Sequence, residues 1–317
     1  MIRLKKSCNL RMLNNRITSI SKRAEVSDTD TRMEINMGNS KMTNRELERK
    51  AGEIRRTLLE TIHYAGSGHI GGSMSIAEIL SVLYFDAMNV DPTDPGKKDR
   101  DRLVLSKGHC SPALYAALAL KGFFPMERLK DFRRIDADMS GHVEMHVPGV
   151  DMSTGSLGQG LSVALGMAMC AKAKGYKNRI YAILGDGEIQ EGQIWEAAMA
   201  AGFYRTGNLT ALIDNNGIQL DGRLEEVMNP LPIAEKFRSF GWNAIEINGH
   251  SIQEIRCAIE LSSEQNMLPT AIICHTIKGK GVSIFEDQVR FHGGQPTPEE
   301  WDTAFCEISN TLHGLED

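Results

Sequence analysis

Five short apolar runs, each separated from the next by a stretch with helical spacing, constrain this chain more than any other feature. They are "RLVLS" (102–106), "RIYAIL" (179–184), "LTALID" (209–214), "NAIEI" (243–247) and "TAIICH" (270–275). Each is nearly continuous in hydrophobic residues rather than alternating, so both faces of each strand must be covered. Strands alternating with helices in this way mark a parallel sheet. The expected fold class is therefore α/β, three layers, with a mostly parallel sheet and helices on both faces. Ligands of such sheets bind in the crevice beyond the carboxyl ends of the strands. Chemistry is to be sought there.

Helix signals fill the intervals. Thr43 and Glu46 form a capping box ahead of Leu47, Ala51, Ile54, Leu58 and Ile62. Ser75 with Glu78 reads as a second box, opening a helix through "IAEILSVLYFDAM". Ser111-Pro112 starts a helix through Leu120, and a long glycine-containing loop (about 139–156) precedes the small-residue helix "LGQGLSVALGMAMCAKAKG". "IWEAAMAAGFYR" is helical, Ser251 with Glu254 caps "IQEIRCAIELS", and Thr297, Pro298 and Glu300 begin a final helix. With no internal repeat or linker, residues 43–317 read as one domain. Residues 1–42 read as a disordered extension, or as upstream sequence before Met33, Met37 or Met42. Their first 24 residues carry seven basic side chains and no acid, a composition like that of a transit peptide.

Composition excludes several classes. The net charge of −5 over 317 residues provides no basic field for nucleic acid or an anionic membrane. No apolar stretch approaches the roughly 20 residues of a membrane span. Six scattered cysteines without a CxxC argue against a disulfide framework or structural zinc, and fit reduced thiols in a cytoplasmic protein. Gly66, Gly68 and Gly71, with Asp86 downstream, match GxGxxG formally, but an amphipathic helix precedes them where a dinucleotide site needs a strand. "HVEMH" (142–146) has its glutamate one position too late for the zinc motif, and Pro148-Gly149 breaks any helix there.

The strand ends are more specific. "RIYAIL" runs into Gly185-Asp186-Gly187, a turn in which neither neighbour of the carboxylate has a side chain. A buried, unpaired carboxylate is costly, so Asp186 needs a cation or strong donors. Thirty residues on, "LTALID" delivers Asn215 and Asn216 at the end of what should be an adjacent strand. One carboxylate, one carboxamide and a carbonyl suit a hard divalent ion such as Mg²⁺ or Ca²⁺, with a diphosphate completing its coordination.

These residues carry a resemblance. "GDG" followed by "NN" is similar to the thiamine diphosphate motif, and the flanking loops resemble the amino-terminal, diphosphate-binding domain of transketolases. The likeness runs from about Met42 to the end, through "GSGHIGGSMS", "LSKGHCSPALYA", "GHVEMHVPGVDMSTGSLGQGLSVALGMA", "GDGEIQEGQIWEAAMAAG", "DNNGIQLDG", "TIKGKGV" and "FHGG". It implies metal ligation by the Asp186 and Asn216 side chains and the Ile218 carbonyl. It implies that Gly155 and Gly187 let the main chain approach the cofactor, with Asn216 beside it. His109 and His292 would hydrogen-bond the diphosphate. His69 and His142 would face the substrate and shuttle protons, a task suited to histidine. Glu191 matches a family carboxylate at the subunit interface. Ile70 and Val143 stand where the family has prolines, a change in stiffness rather than chemistry.

The resemblance also implies what this chain does not supply. In the family a second domain binds the pyrimidine and provides its glutamate and most substrate-phosphate arginines. The expectation is thus the amino-terminal subunit of a split transketolase, moving a two-carbon ketol unit between sugar phosphates. A carboxy-terminal subunit with the pyrimidine-binding domain would be its partner, around a homodimer within a heterotetramer. The alternatives are a subunit of another thiamine diphosphate enzyme (deoxyxylulose-phosphate synthase-like or 2-oxo acid dehydrogenase-like) or a non-catalytic, cofactor-binding regulatory subunit.

Overall fold

A computed structural model of the chain describes residues 41–264 and 267–315. The reading of residues 1–42 as an extension falls, up to residue 40, outside them. All five expected strands form: β1 (Arg102–Leu105), β2 (Ile180–Gly185), β3 (Leu209–Asn215), β4 (Asn243–Asn248) and β5 (Thr270–His275). They make one sheet in the order β1-β2-β3-β5-β4, and every pairing is parallel.

Successive side chains along a strand enter opposite cores, because the pleat alternates. On β2, Tyr181 and Ile183 face one core while Ile180, Ala182 and Leu184 face the other. The first core lies against helices α1 (Asn44–Ala65), α2 (Ala77–Val82), α3 (Ser111–Lys121), α7 (Ile252–Glu264) and α8 (Pro298–Gly314). The second lies against α4 (Gly160–Ala173), α5 (Gly192–Phe203) and α6 (Ile233–Ser239). Alanines at 164, 168, 197, 198 and 201 keep this second layer close to the sheet.

The outer capping boxes form as read: Thr43 with Glu46, and Thr297 with Glu300. Ser251 Oγ accepts the Glu254 N–H, but the Glu254 carboxylate goes to the Asn248 N–H instead. The Ser75–Glu78 box does not form. Residues Gly71–Met74 already make a helical turn, so Ser75 is not the first unpaired position of α2. Its hydroxyl hydrogen-bonds Asp214, and Glu78 turns inward to Arg55. Both residues serve long-range contacts that a local pattern imitates.

Among the described residues no helix is long and apolar enough to cross a membrane, and five cysteines are unpaired.

Candidate active site

The carboxyl ends of β1, β2, β3 and β5 deliver their following residues to one crevice. Gly185 and Asp214 are register partners on β2 and β3, so the two turns inferred from sequence lie side by side. Asp186 is 2% exposed. Its Oδ1 accepts the Gly187 N–H at 2.8 Å, and its Oδ2 accepts the Gly217 N–H at 2.6 Å. Gly217 has φ +77°, a left-handed conformation that glycine adopts without strain, and this aims its N–H back at Asp186. Burial, and then the charge of Asp214, push the Asp186 carboxyl up to about 7. Asn216 Oδ1 accepts the Ile218 N–H at 3.1 Å, while its Nδ2 donates to Asp214 Oδ2 at 2.9 Å. Asp186, Asn216 and the Ile218 carbonyl are therefore tied into one double turn.

Beneath them lies a floor of buried charge. Asp214 Oδ2 accepts from Lys107 Nζ at 2.5 Å and Ser75 Oγ at 2.7 Å, and its Oδ1 accepts from Thr276 Oγ1. Burial alone would raise this carboxyl, but Lys107 and the hydroxyl donors hold it below the ordinary value. Lys107, after β1, also donates to the Gly72 carbonyl at 2.8 Å. Lys278, after β5, donates to the Ile218 carbonyl at 3.0 Å and meets His292 Nδ1 at 3.0 Å. Its pKa is brought down to about 8 by burial and by Lys107. Glu188 accepts from the Ser106 hydroxyl and, at 3.0 Å each, from the N–H groups of Gly158 and Gly185.

Four histidines form a wall above this floor. His69 has ring-centroid separations of 5.0 Å from His109, 6.1 Å from His142 and 5.5 Å from His292, and His109 and His292 are 5.3 Å apart. Burial is the main reason all four lose basicity. It acts with His109 and Arg133 on His69 (to about 4), with Lys107 on His109 (to about 4) and with Lys278 on His292 (to about 3). His142 is lowered too, by burial and then His109. All four are neutral at pH 7, each with one donor and one acceptor nitrogen. Lys278 donates to His292 Nδ1, which leaves Nε2 of His292 as its donor.

The loops interlock closely here. A Cβ on Gly108 would lie 2.4 Å from the Thr154 carbonyl oxygen, so this approach of two backbones needs glycine. Gly155 lies against the His142 ring, where a Cβ would be 3.2 Å from Cδ2, and Gly187 lies against Gln219. Of the residues expected from sequence, the four histidines, Asp186, Asn216 and Ile218 gather as described. Glu191 stands apart. It is exposed at the N-cap of α5, beside Gly158, and among the described residues its carboxylate accepts no hydrogen bond.

Sequence reasoning missed Lys107, Asp214, Lys278 and Glu188. Asp214 ended a strand that otherwise looked apolar, and the lysines sat among small residues in "SKGH" and "IKGKG". Those were the available signals. Elsewhere in "HVEMH", Glu144 accepts from Ser153, and His146 Nε2 pairs with the Asp138 carbonyl. Gly66 is a left-handed C-cap of α1. No group of three or more His, Cys, Asp or Glu able to hold a metal occurs among the described residues.

Residues 47–304 match the family model for the transketolase thiamine diphosphate-binding domain. The chain is 48% identical over 265 residues to the 6-deoxy-6-sulfo-D-fructose transketolase subunit of Clostridium sp. strain MSTE9, covering 83% of this chain and 96% of that one. It is 42% identical over 270 residues to one of the apulose-4-phosphate transketolase subunits of Phocaeicola vulgatus, covering 85% and 96%. The transketolase crystal structure from Campylobacter jejuni superposes with a TM-score of 0.79 at 32% identity, over 86% of this chain. The present chain spans 46% of that transketolase's length.

Proposed function

We infer function from one premise: the chain belongs to the transketolase family, through its thiamine diphosphate-binding domain. On it we propose that this is the amino-terminal subunit of a split transketolase, which transfers a two-carbon ketol unit from a ketose phosphate to an aldose phosphate. The relatives named as subunits, covered over 96% of their length, support this division of the enzyme. The partner is a carboxy-terminal subunit with the pyrimidine-binding domain, in a cytoplasmic heterotetramer built on a homodimer of this chain. Exposed Met199 (56%) and Phe203 (78%), near the end of α5, suit a surface that another subunit covers.

The observation that carries the reading is the double turn of Asp186 and Asn216–Ile218 below a wall of neutral histidines. Its oxygens fit a hard cation: one buried carboxylate, one carboxamide and one carbonyl, too few for a full cage but suited to sharing an ion with a diphosphate. Mg²⁺, with Ca²⁺ able to replace it, would be held by Asp186, Asn216 and the Ile218 carbonyl. Thiamine diphosphate, when bound, supplies the carbon nucleophile and electron sink of ketol transfer. The chain's own residues do the rest. His109 and His292 would donate N–H groups to diphosphate oxygens, and Lys278 would balance part of its charge. Gly155 and Gly187 would let the protein main chain approach the cofactor. His69 and His142, neutral and beside one another, hydrogen-bond substrate oxygens and pass protons to and from them. Glu191 is assigned to the contact between subunits.

Two measurements test this. Thiamine diphosphate should bind in titration calorimetry with Mg²⁺ and fail to bind with EDTA; equal affinity in both would sink the metal assignment. Purified free of host transketolase, the chain alone should give no ketol transfer at saturating cofactor and Mg²⁺, and the co-purified partner should restore it. Sustained turnover by the lone chain would overturn the split-enzyme reading. Persistent silence with the partner present would favour a regulatory subunit.

A further inference from the structure

His250 lies in the turn after β4 and has no place in the proposed chemistry, yet its hydrogen bonds end at the active-site loop. Its Nε2 accepts the Ile277 N–H at 2.8 Å. A backbone amide can only donate, so Nε2 carries no proton and the tautomer is fixed as Nδ1–H. That proton faces Glu78 Oε2 at 3.1 Å. Glu78 in turn receives both terminal nitrogens of Arg55, at 2.7 and 2.6 Å, and Arg55 also donates to the Met74 carbonyl at 3.1 Å. Both side chains of the Arg55–Glu78 pair are more than nine-tenths buried. Burial works against the Glu78 charge, but Arg55 outweighs it and holds the carboxyl at about 2.

The segment at the other end of this chain of contacts is Thr276–Gly281, which carries Lys278. The Thr276 N–H goes to the Asn215 carbonyl at 3.2 Å, and the Gly279 N–H to the Gly71 carbonyl at 3.0 Å. Between them the Ile277 N–H, immediately before Lys278, depends on a side chain. Gly281, at φ +100°, packs against Arg55, where a Cβ would come 3.0 Å from Cδ. From this loop Lys278 reaches both the Ile218 carbonyl and His292.

We propose that His250 is a positioning residue for the diphosphate site: by accepting the Ile277 N–H, with its tautomer set by the buried Glu78 of the Arg55 pair, it fixes where Lys278 delivers its ammonium. Among the described residues it makes no hydrogen bond to the proposed metal ligands or to the histidine wall. The identity of what is positioned rests on the thiamine diphosphate reading above; the brace is a property of the ligand-free chain.

Two substitutions separate the His250 bond to Ile277 from its bond to Glu78. His250→Asn keeps an N–H where Nδ1 stood, for Glu78, but is too short to reach Ile277. His250→Gln can place its carbonyl oxygen where Nε2 stood and keep the Ile277 bond. Hydrogen exchange on the full ligand-free chain should show faster exchange over residues 276–279 in the Asn variant and near-native exchange in the Gln variant. Titration with Mg²⁺ and thiamine diphosphate should show about a tenfold weaker Kd for Asn, the equivalent of one lost hydrogen bond, and less than about a threefold change for Gln. Melting temperatures of both should stay near native. Native exchange and affinity in the Asn variant would overturn the proposal, as would equal weakening in both variants alongside a shared fall in melting temperature. If the unaltered chain failed to bind thiamine diphosphate at all, the functional reading would fall, and the exchange comparison would still decide the brace.

Discussion

Asp214, in the floor of the crevice, is gripped by the side chains of Lys107, Ser75, Asn216 and Thr276. His69, in the wall above it, meets one side-chain hydrogen-bond partner among the described residues, Arg133, at 3.4 Å. In the floor the Lys107 and Asp214 charges answer each other and their remaining hydrogen-bonding sites are taken, and low dielectric makes each of those bonds count. The wall is four neutral rings whose nitrogens are largely uncommitted. A saturated floor holds strand ends and loops in register; an unsaturated wall keeps hydrogen-bonding capacity for something that arrives. Damage to the floor should therefore appear first as lost stability, and damage to the wall as lost turnover.

The largest effect should follow from breaking the floor. Asp214→Ala strands the buried Lys107 ammonium, and removing one partner of a buried pair costs about 3–5 kcal/mol. Chemical denaturation should show this in the ligand-free chain. A loss under about 1 kcal/mol would mean that the network is far wetter than its geometry indicates.

The wall should respond in the opposite way. His69→Ala and His142→Ala, in the enzyme reconstituted with its partner, should lower kcat/KM by about a hundredfold to ten-thousandfold while stability and cofactor affinity hold. If His142→Ala lost cofactor and kept its turnover rate, its role would exchange with that of His109.

Asp186 sits where floor and wall meet, and its pH dependence sharpens the contrast. Its pKa is raised from 3.8 to about 7, so ionisation is harder in the folded chain than in the unfolded one. The resulting cost is absent at pH 4 or below, grows as pH rises towards 7, and is complete above that. Ligand-free Asp186→Asn should therefore melt at the same temperature as the native chain at about pH 4, and higher at about pH 8. Asp186→Ala should bind thiamine diphosphate much more weakly with the fold intact. A melting difference that shrinks as pH rises would contradict the burial argument.

The smallest effect belongs to a residue in neither region. Thr297→Ala removes the N-cap of α8 and should cost about 1 kcal/mol, with no change in binding or turnover. A change in Kd there would show that the crevice is not insulated from the helical shell.

Much of the fold, and about half of the crevice, was legible in the sequence. Apolar runs of strand length, helical spacing between them and the outer capping boxes are local properties, set by residues a few positions apart. The Asp186 and Asn216 turns were legible for the same reason: each is a strand end followed by glycine. The Ser75–Glu78 box shows the limit. Its spacing satisfied the local rule, but Ser75 belongs to Asp214, 139 residues away.

By itself, then, the sequence determined a parallel α/β sheet, the glycine-flanked turns at two of its strand ends, and the family to which its motifs belong. Only the tertiary structure decided how charge is balanced beneath them. Lys107 meets Asp214 across 107 residues, His250 meets Glu78 across 172, and Lys278 reaches the Ile218 carbonyl across 60. Such pairings leave no periodic trace, because what selects them is the cost of burying a lone charge, and burial is settled only once the sheet has brought distant strand ends together.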